Sequence, residues 1–392
     1  IFLFIGVNLV ILISGILYIY KGFSATYLRG HMRPSLYDYK LFSNRKIKSG
    51  KGEKWKEHSE LGKLKLNKNQ LKYVEKLKPA SLLIAQGGTI IYEKYWGKHN
   101  QKTIGNSFSM AKSVTALLIG AALEDGSIKS IDEPVANYLD EFKTDGKEKI
   151  TIRDVLSMST GLSWNENYNN PFCDIAALYY DSNTKDLTLK SRMVEEPSGT
   201  VFRYKSADTQ TLMYLLEKAT GQTISEYTSE KIWKKIGAET DAMWGLIGDK
   251  NSEEKSFCCM YATTRDYAKI GQLINQNGSW NNEQILSEDF VKSFKSLAPL
   301  KNEEGKKNLS YGFQHWIYTG LPFDVSYCRG ILGQYIISIP KHDLVIVRTG
   351  SGVSKKWKNT KNIINDALVD HRVELPEYIA IAIDVLDQLN KK

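Results

Sequence analysis

Two hairpin-like stretches near opposite ends of this 392-residue chain constrain its fold more than anything between them. The first, Ser81-Leu82-Leu83-Ile84-Ala85-Gln86-Gly87-Gly88-Thr89-Ile90-Ile91-Tyr92-Glu93-Lys94-Tyr95-Trp96, sets two β-rich runs about a Gly-Gly turn, where glycine supplies the positive φ angles of a tight hairpin. The second runs from Gly333 to Ile339, turns at Pro340-Lys341-His342-Asp343 and returns from Leu344 to Val347. Between them helical and loop patterns dominate. Beyond Ser109, Val114, Leu117, Leu118, Ala121 and Leu123 recur at helical spacing until Asp125-Gly126. Further helices are expected at Thr151–Leu156, at Thr209–Thr220 ended by Gly221, and at Arg265–Asn275 with Gly278 beyond. The chain closes on helical patterns at Trp357–Asp370 and Glu377–Leu389. This order predicts an α+β fold: one antiparallel sheet built from both chain ends, flanked by helices, with an all-helical insertion. The expected divisions are an apolar N-terminal segment (1–22), a basic linker with a short helix (23–78), and one globular domain (79–392). In that domain the sheet comes from about 79–97 and 309–350, the helical region from about 105–300, and the C-terminal helices from 357–392.

Residues Ile1 to Tyr20 are almost wholly apolar and Lys21 follows at once; about 20 such residues span a bilayer as a helix. A membrane anchor is preferred over a cleaved signal peptide, because the run exceeds a typical signal core and no clear small-x-small site follows it directly. The net charge of +9 suggests nucleic-acid binding until the lysines are located. Many crowd between Lys46 and Lys78, just after the apolar run, as in a juxtamembrane basic segment near anionic lipid. No RNP, zinc-finger or helix-turn-helix pattern accompanies them, so no nucleic-acid partner is expected. The four cysteines, Cys173, Cys258, Cys259 and Cys328, form no C-x-x-C pair and no metal-ligand spacing. Adjacent Cys258 and Cys259 are expected as small buried side chains rather than as a bonded pair.

Chemistry concentrates at Ser107-Phe108-Ser109-Met110-Ala111-Lys112-Ser113. A serine three residues before a lysine, opening an apolar helix, places hydroxyl and ammonium one turn apart on one face. A nucleophile and its proton acceptor can be held so without histidine. An ammonium of ordinary pKa, about 10.4, is a poor base at neutral pH, so burial or a neighbouring phenol must assist it. Phe202-Arg203-Tyr204-Lys205-Ser206-Ala207-Asp208, a loop entering a helix, offers that phenol in Tyr204. The oxyanion of acyl transfer needs backbone N–H donors. One comes from Ser109 at its helix N-terminus, the other from Arg329-Gly330-Ile331-Leu332-Gly333-Gln334, whose glycines permit close backbone approach.

Taken together, Ser109-Met110-Ala111-Lys112, Tyr204-Lys205-Ser206 before its helix, and Gly333-Gln334-Tyr335-Ile336 before Ile339-Pro340-Lys341-His342-Asp343 resemble the serine β-lactamase-related hydrolases. The resemblance is to the class C and penicillin-binding-protein branch, and within it to the 6-aminohexanoate-dimer hydrolases, over about residues 79 to 372. It implies a β-lactamase/transpeptidase-like fold and a serine hydrolase cleaving an amide or ester through an acyl-enzyme, without metal or cofactor. Carried over, Ser109 becomes the nucleophile, Lys112 its base or relay and Tyr204 the proton partner of the leaving group. The N–H groups of Ser109 and Ile331 form the oxyanion hole, Tyr168 is a lid tyrosine and Trp316 a wall of the substrate cleft. A small-molecule or peptide substrate is implied, met outside the cytoplasm by an anchored domain, or by a secreted one if the N-terminal segment is cleaved. The alternatives are a penicillin-binding sensor, a D-Ala peptidase of the cell envelope, and a catalytically silent envelope protein. Two look-alikes stand out. Tyr168-Asn169-Asn170 fits the Y-x-N pattern but lacks the following helix, and Arg348-Thr349-Gly350 imitates K-T-G on the wrong strand. The expected strand, near Ser326 to Leu332, carries neither lysine nor histidine in that place, which weakens the case for penicillin turnover.

Overall fold

The computed structural model describes residues 17–30, 33–354 and 370–391. Its strands are β1 (Asn44–Ile47), β2 (Lys56–Glu57), β3 (Pro79–Gln86), β4 (Thr89–Tyr95), β5 (Ile104–Asn106), β6 (Ala242–Gly245), β7 (Met260–Thr263), β8 (Ser279–Trp280), β9 (Glu283–Gln284), β10 (Trp316–Tyr318), β11 (Val325–Gly330), β12 (Gln334–Ile339) and β13 (Leu344–Gly350). Its α-helices are α1 (Tyr18–Ala25), α2 (Lys68–Lys76), α3 (Met110–Glu124), α4 (Ile152–Leu156), α5 (Asp174–Tyr180), α6 (Ser206–Thr220), α7 (Ile224–Thr228), α8 (Thr264–Asn275), α9 (Glu288–Phe294) and α10 (Glu374–Asn390).

The two hairpins meet as expected. The main sheet runs β10-β11-β12-β13-β3-β4-β2, and β13 pairs antiparallel with β3, Val347 opposite Leu83. Gly87 and Gly88, at φ 53° and 71°, make the first turn. Only the short edge strand β2 runs parallel, to β4. Alternate residues serve opposite faces, as the two-residue period of a strand requires. Leu83, Ala85, Ile336, Val345 and Val347 join the core that holds α3 and α8. Leu82, Ile84, Ile337, Ile339 and Ile346 pack with Leu375, Tyr378, Ile379, Ala382 and Val385 of α10. Gly271 of α8 permits the contact on the first face, since a Cβ there would meet Val345 Cγ1 at 2.5 Å and Ile336 Cγ2 at 2.7 Å.

The region between the hairpins is not all helix. Three of its strands join β1, from before the first hairpin, in a second sheet, β1-β6-β7-β5. Its strands hold three or four residues each, too few for alternation to be legible in sequence. β1 belongs to the segment expected as a linker, so that segment is built into the domain: Ile47 and Trp55 are buried in the main core. The short helix expected before the domain is α2, closed by an Asn67–Gln70 capping box. α6 begins at Ser206, three residues before the expected Thr209, and Asp208 in its first turn pairs with buried Arg192 at 2.6 Å.

Cys258 and Cys259 are bonded to each other, contrary to expectation. Cys259 takes φ 68° in a buried turn, which brings the neighbouring sulfurs together. Cys173 and Cys328 are free and buried. Residues 1–16 of the apolar run Ile1–Tyr20, and residues 357–369 of the helix expected at Trp357–Asp370, lie outside the described residues. Among the described residues no helix is long and apolar enough to cross a membrane.

Candidate active site

Ser109 caps the N-terminus of α3, a helix buried from Met110 to Ala122. The turn before it is tied down from both sides. The Ser107 N–H donates to Met260 O at 2.8 Å, the Phe108 N–H to Asn106 Oδ1 at 2.8 Å, and Ser107 Oγ accepts from the Met260 N–H at 3.2 Å. Phe108 holds φ 45°, an uncommon conformation for an aromatic residue. The position of Ser109 is therefore set by β5 and β7, which tie down the turn before the helix.

Lys112, one turn on, is 1% exposed. Its Nζ donates to Phe257 O at 2.7 Å and to Ser206 Oγ at 3.0 Å, and lies 3.4 Å from Ser109 Oγ. Among the described residues no carboxylate pairs with it directly. Burial brings its pKa down to about 8, opposed by the more distant Glu166, since an ammonium loses hydration in a dry site. The Tyr204 ring sits 5.3 Å from Lys112 Nζ. Its phenol pKa is raised by burial and by Glu166, against a hydrogen bond with Ser109 and the positive charge of Arg329. The three expected catalytic side chains thus converge.

Glu166 joins the rest of the site together. Its carboxylate accepts from the Ser206 hydroxyl (2.6 Å), the Ser206 N–H (2.9 Å), Trp164 Nε1 (2.5 Å) and the Tyr168 hydroxyl (2.5 Å). Ser206 therefore accepts from Lys112 and donates to Glu166. Tyr168 is 52% exposed, yet its hydroxyl turns inward, where burial and Glu166 hold its pKa well above that of free tyrosine. The Y-x-N look-alike thus reaches the site through Glu166, with Ser206 and Tyr204 close by. Neither Glu166 nor Ser206 is legible as functional in sequence, because their partners lie about forty positions apart. The only cue is a hydroxyl two residues after Tyr204.

The residue whose N–H is the expected second oxyanion donor, Ile331, directly follows β11. A Cβ on Gly330 would lie 2.2 Å from Ser107 O and 3.1 Å from Phe108 Cβ, so glycine lets the strand end press against the turn that leads into Ser109. Gln334 Nε2 donates to Ile331 O (2.9 Å) and Gly350 O (2.8 Å). Arg348 Nη1 donates to Gly333 O (2.6 Å) and Leu332 O (2.9 Å), and Nη2 to Leu77 O. Arg348, the K-T-G look-alike, is fully buried and holds backbone.

Trp316 backs the site: its ring stacks on Tyr204 at 5.7 Å, and the Arg329 guanidinium covers it at 3.6 Å. Arg329 lies on the strand that carries neither lysine nor histidine at the expected place. It donates to Asp370 O at 2.8 Å, and among the described residues no carboxylate forms an ion pair with it. Beside Tyr204 opens a cleft of about 380 Å³ edged by Trp164, Glu166, Glu195, Arg203 and Glu303. A serine and a tyrosine, both partly exposed, gathered about a buried lysine, with a cation and an open cleft beside them, form a cluster of the kind that can carry out acyl transfer.

The "Beta-lactamase" family model matches residues 72–370. The 6-aminohexanoate-dimer hydrolase of Paenarthrobacter ureafaciens is 23% identical over 310 residues, 74% of this chain and 77% of the relative. A provisionally named 6-aminohexanoate-dimer hydrolase from Bacillus anthracis superposes with a TM-score of 0.73 at 22% identity, covering 94% of each chain. A family VIII carboxylesterase gives 0.62 at 18% identity, covering 80% of this chain and 94% of the other. The two structures share its fold, and the match of the family model over most of its length shows that the chain belongs to the Beta-lactamase family.

Proposed function

We propose that the chain hydrolyses an amide or ester through a covalent acyl-enzyme on Ser109. The observation that carries this is a dry Lys112, its pKa brought down to about 8, whose Nζ lies 3.4 Å from Ser109 Oγ. Neutral Lys112 takes the Ser109 proton as Oγ bonds to the substrate carbonyl carbon. The carbonyl oxygen becomes an oxyanion facing the N–H groups of Ser109 and Ile331. Tyr204, kept neutral by its raised pKa, gives its proton to the leaving nitrogen or oxygen as that bond breaks, and regains one from Lys112. Water then releases the acyl group by the reverse path. Amidase and esterase relatives support the substrate class; the hydrolase of 6-aminohexanoate dimer cleaves an amide by name.

Ser109→Ala should abolish hydrolysis of p-nitrophenyl acetate and labelling by a fluorophosphonate, with an unchanged far-UV circular dichroism spectrum. Undiminished turnover by the folded variant would sink the proposal.

Arg329 favours a second reading, in which the substrate carries a carboxylate, as D-Ala peptides and penicillins do. Arg329→Leu should then raise KM about tenfold or more for a carboxylate-bearing ester while leaving a neutral ester within about twofold. An equal effect on both removes this reading.

A further inference from the structure

The N-terminal helix presents an apolar surface whose position bears on what reaches the active site. One face of α1 packs on the domain: Tyr18 is buried, and Gly22 lies against the Tyr180 ring, where a Cβ would come within 3.2 Å. The opposite face, continuing into the next turn, exposes Tyr20, Phe23, Tyr27 and Leu28, with Leu17 at the side. Phe23 and Tyr27 stack at 5.4 Å. Lys21, Arg29 and Arg33 are exposed around them. Aromatic and aliphatic side chains edged by lysine and arginine are the composition of a helix lying in a membrane interface. The apolar residues 1–16 lead directly into this helix in sequence, which selects lipid over a second copy of the chain as the occupant.

The partner of α1 is α5, and α5 ends the loop that carries the lid. Gly22 meets Tyr180 at the end of α5, and Tyr18 lies near the carboxylates of Asp174 and Asp181 at its two ends. The preceding residue, Phe172, is 62% exposed, and four residues before it Tyr168 reaches Glu166 in the catalytic cluster. One continuous stretch, 166–180, thus joins the acyl-transfer centre to the helix that bears the apolar surface.

We propose that α1, the turn after it and Phe172 rest on an anionic bilayer, so that the active-site mouth meets the membrane and takes amphiphilic esters or amides held there. This substrate class rests on the proposed hydrolase activity. The surface does not.

The test uses the full chain in phosphatidylcholine vesicles containing phosphatidylglycerol. Bimane is attached at Phe23→Cys, Leu28→Cys and Phe172→Cys, with the unsubstituted chain as the background for its buried cysteines. Brominated lipids should quench all three positions. Quenching at 23 and 28 without quenching at 172, or cross-linking of Leu28→Cys between copies without quenching, overturns the proposal. The combined variant Phe23→Ser, Leu28→Ser, Phe172→Ser should keep p-nitrophenyl acetate turnover and lose about tenfold or more on a long-chain anilide presented in the vesicles. Equal losses on both substrates overturn the membrane-facing mouth. Quenching at all three sites by a chain that hydrolyses neither substrate supports the surface and refutes the hydrolase.

Discussion

Lys112 and Glu166 divide the electrostatics of the site between them. Burial lowers the lysine pKa to about 8 and the glutamate raises it, so the glutamate limits how basic chemistry begins at neutral pH. In the proposed mechanism the neutral amine is the competent form, so kcat/KM should rise with pH through a midpoint near 8. Glu166→Gln removes the charge and keeps the shape, so that midpoint should move down by about half a unit to one unit. A pH–rate profile on a neutral ester reads both. A midpoint that stays put would mean that Ser206 insulates the lysine from the carboxylate. Replacing Lys112 itself should trade activity for stability. Lys112→Met removes a desolvated ammonium, so thermal unfolding at pH 7 should show a gain of about 1–3 kcal/mol, while ester turnover is lost. As pH rises from about 8 towards the lysine's unfolded value near 10.4, the gain should fade, because the unfolded chain alone then still holds the proton.

At the scale of elements, the site depends on two turns forced together. Gly330 ends β11 where a methyl group would overlap Ser107 O. Gly330→Ala should therefore push the Ile331 amide away from Ser109 and lower kcat about 10²-fold, with about 1–3 kcal/mol of destabilisation. Burst kinetics would separate that loss from one in binding. The elements also show what sequence can carry. The long buried helix α3, the Gly-Gly hairpin and the late hairpin were legible because periodicity or turn chemistry runs through each. The second sheet was not, because strands of three or four residues have no period to detect. Cations were legible as residues but misplaced as functions: Arg348, in the look-alike triplet, binds carbonyls in the core, while Arg329, on the expected strand, lies over Trp316 at the site. Glu166 was out of reach altogether, because a carboxylate in a polar loop acquires meaning only from partners that folding brings to it.

Across the whole molecule, the segment before α2 is part of the fold. Ile47 is fully buried, β1 pairs with β6, and Asp38 accepts from Tyr179 at 2.8 Å. A fragment starting at Lys48 should therefore melt roughly 10 °C below one starting at Pro34, as differential scanning calorimetry would show. Equal melting temperatures would make the segment an appendage. The same architecture sets when reactivity appears. Ser109 lies on a helix that is local in sequence, but its amide partner, its phenol and its lysine's carbonyl acceptor sit near residues 331, 204 and 257. The sheet behind them closes only when β13 finds β3. Pairings of such long range form late, because the loop between them must be closed first. During refolding, helical circular dichroism should recover before a fluorophosphonate can label Ser109. On the proposed mechanism Ser109 would thereby stay silent in a nascent or damaged chain, and its reactivity would report that the two ends of the polypeptide have met.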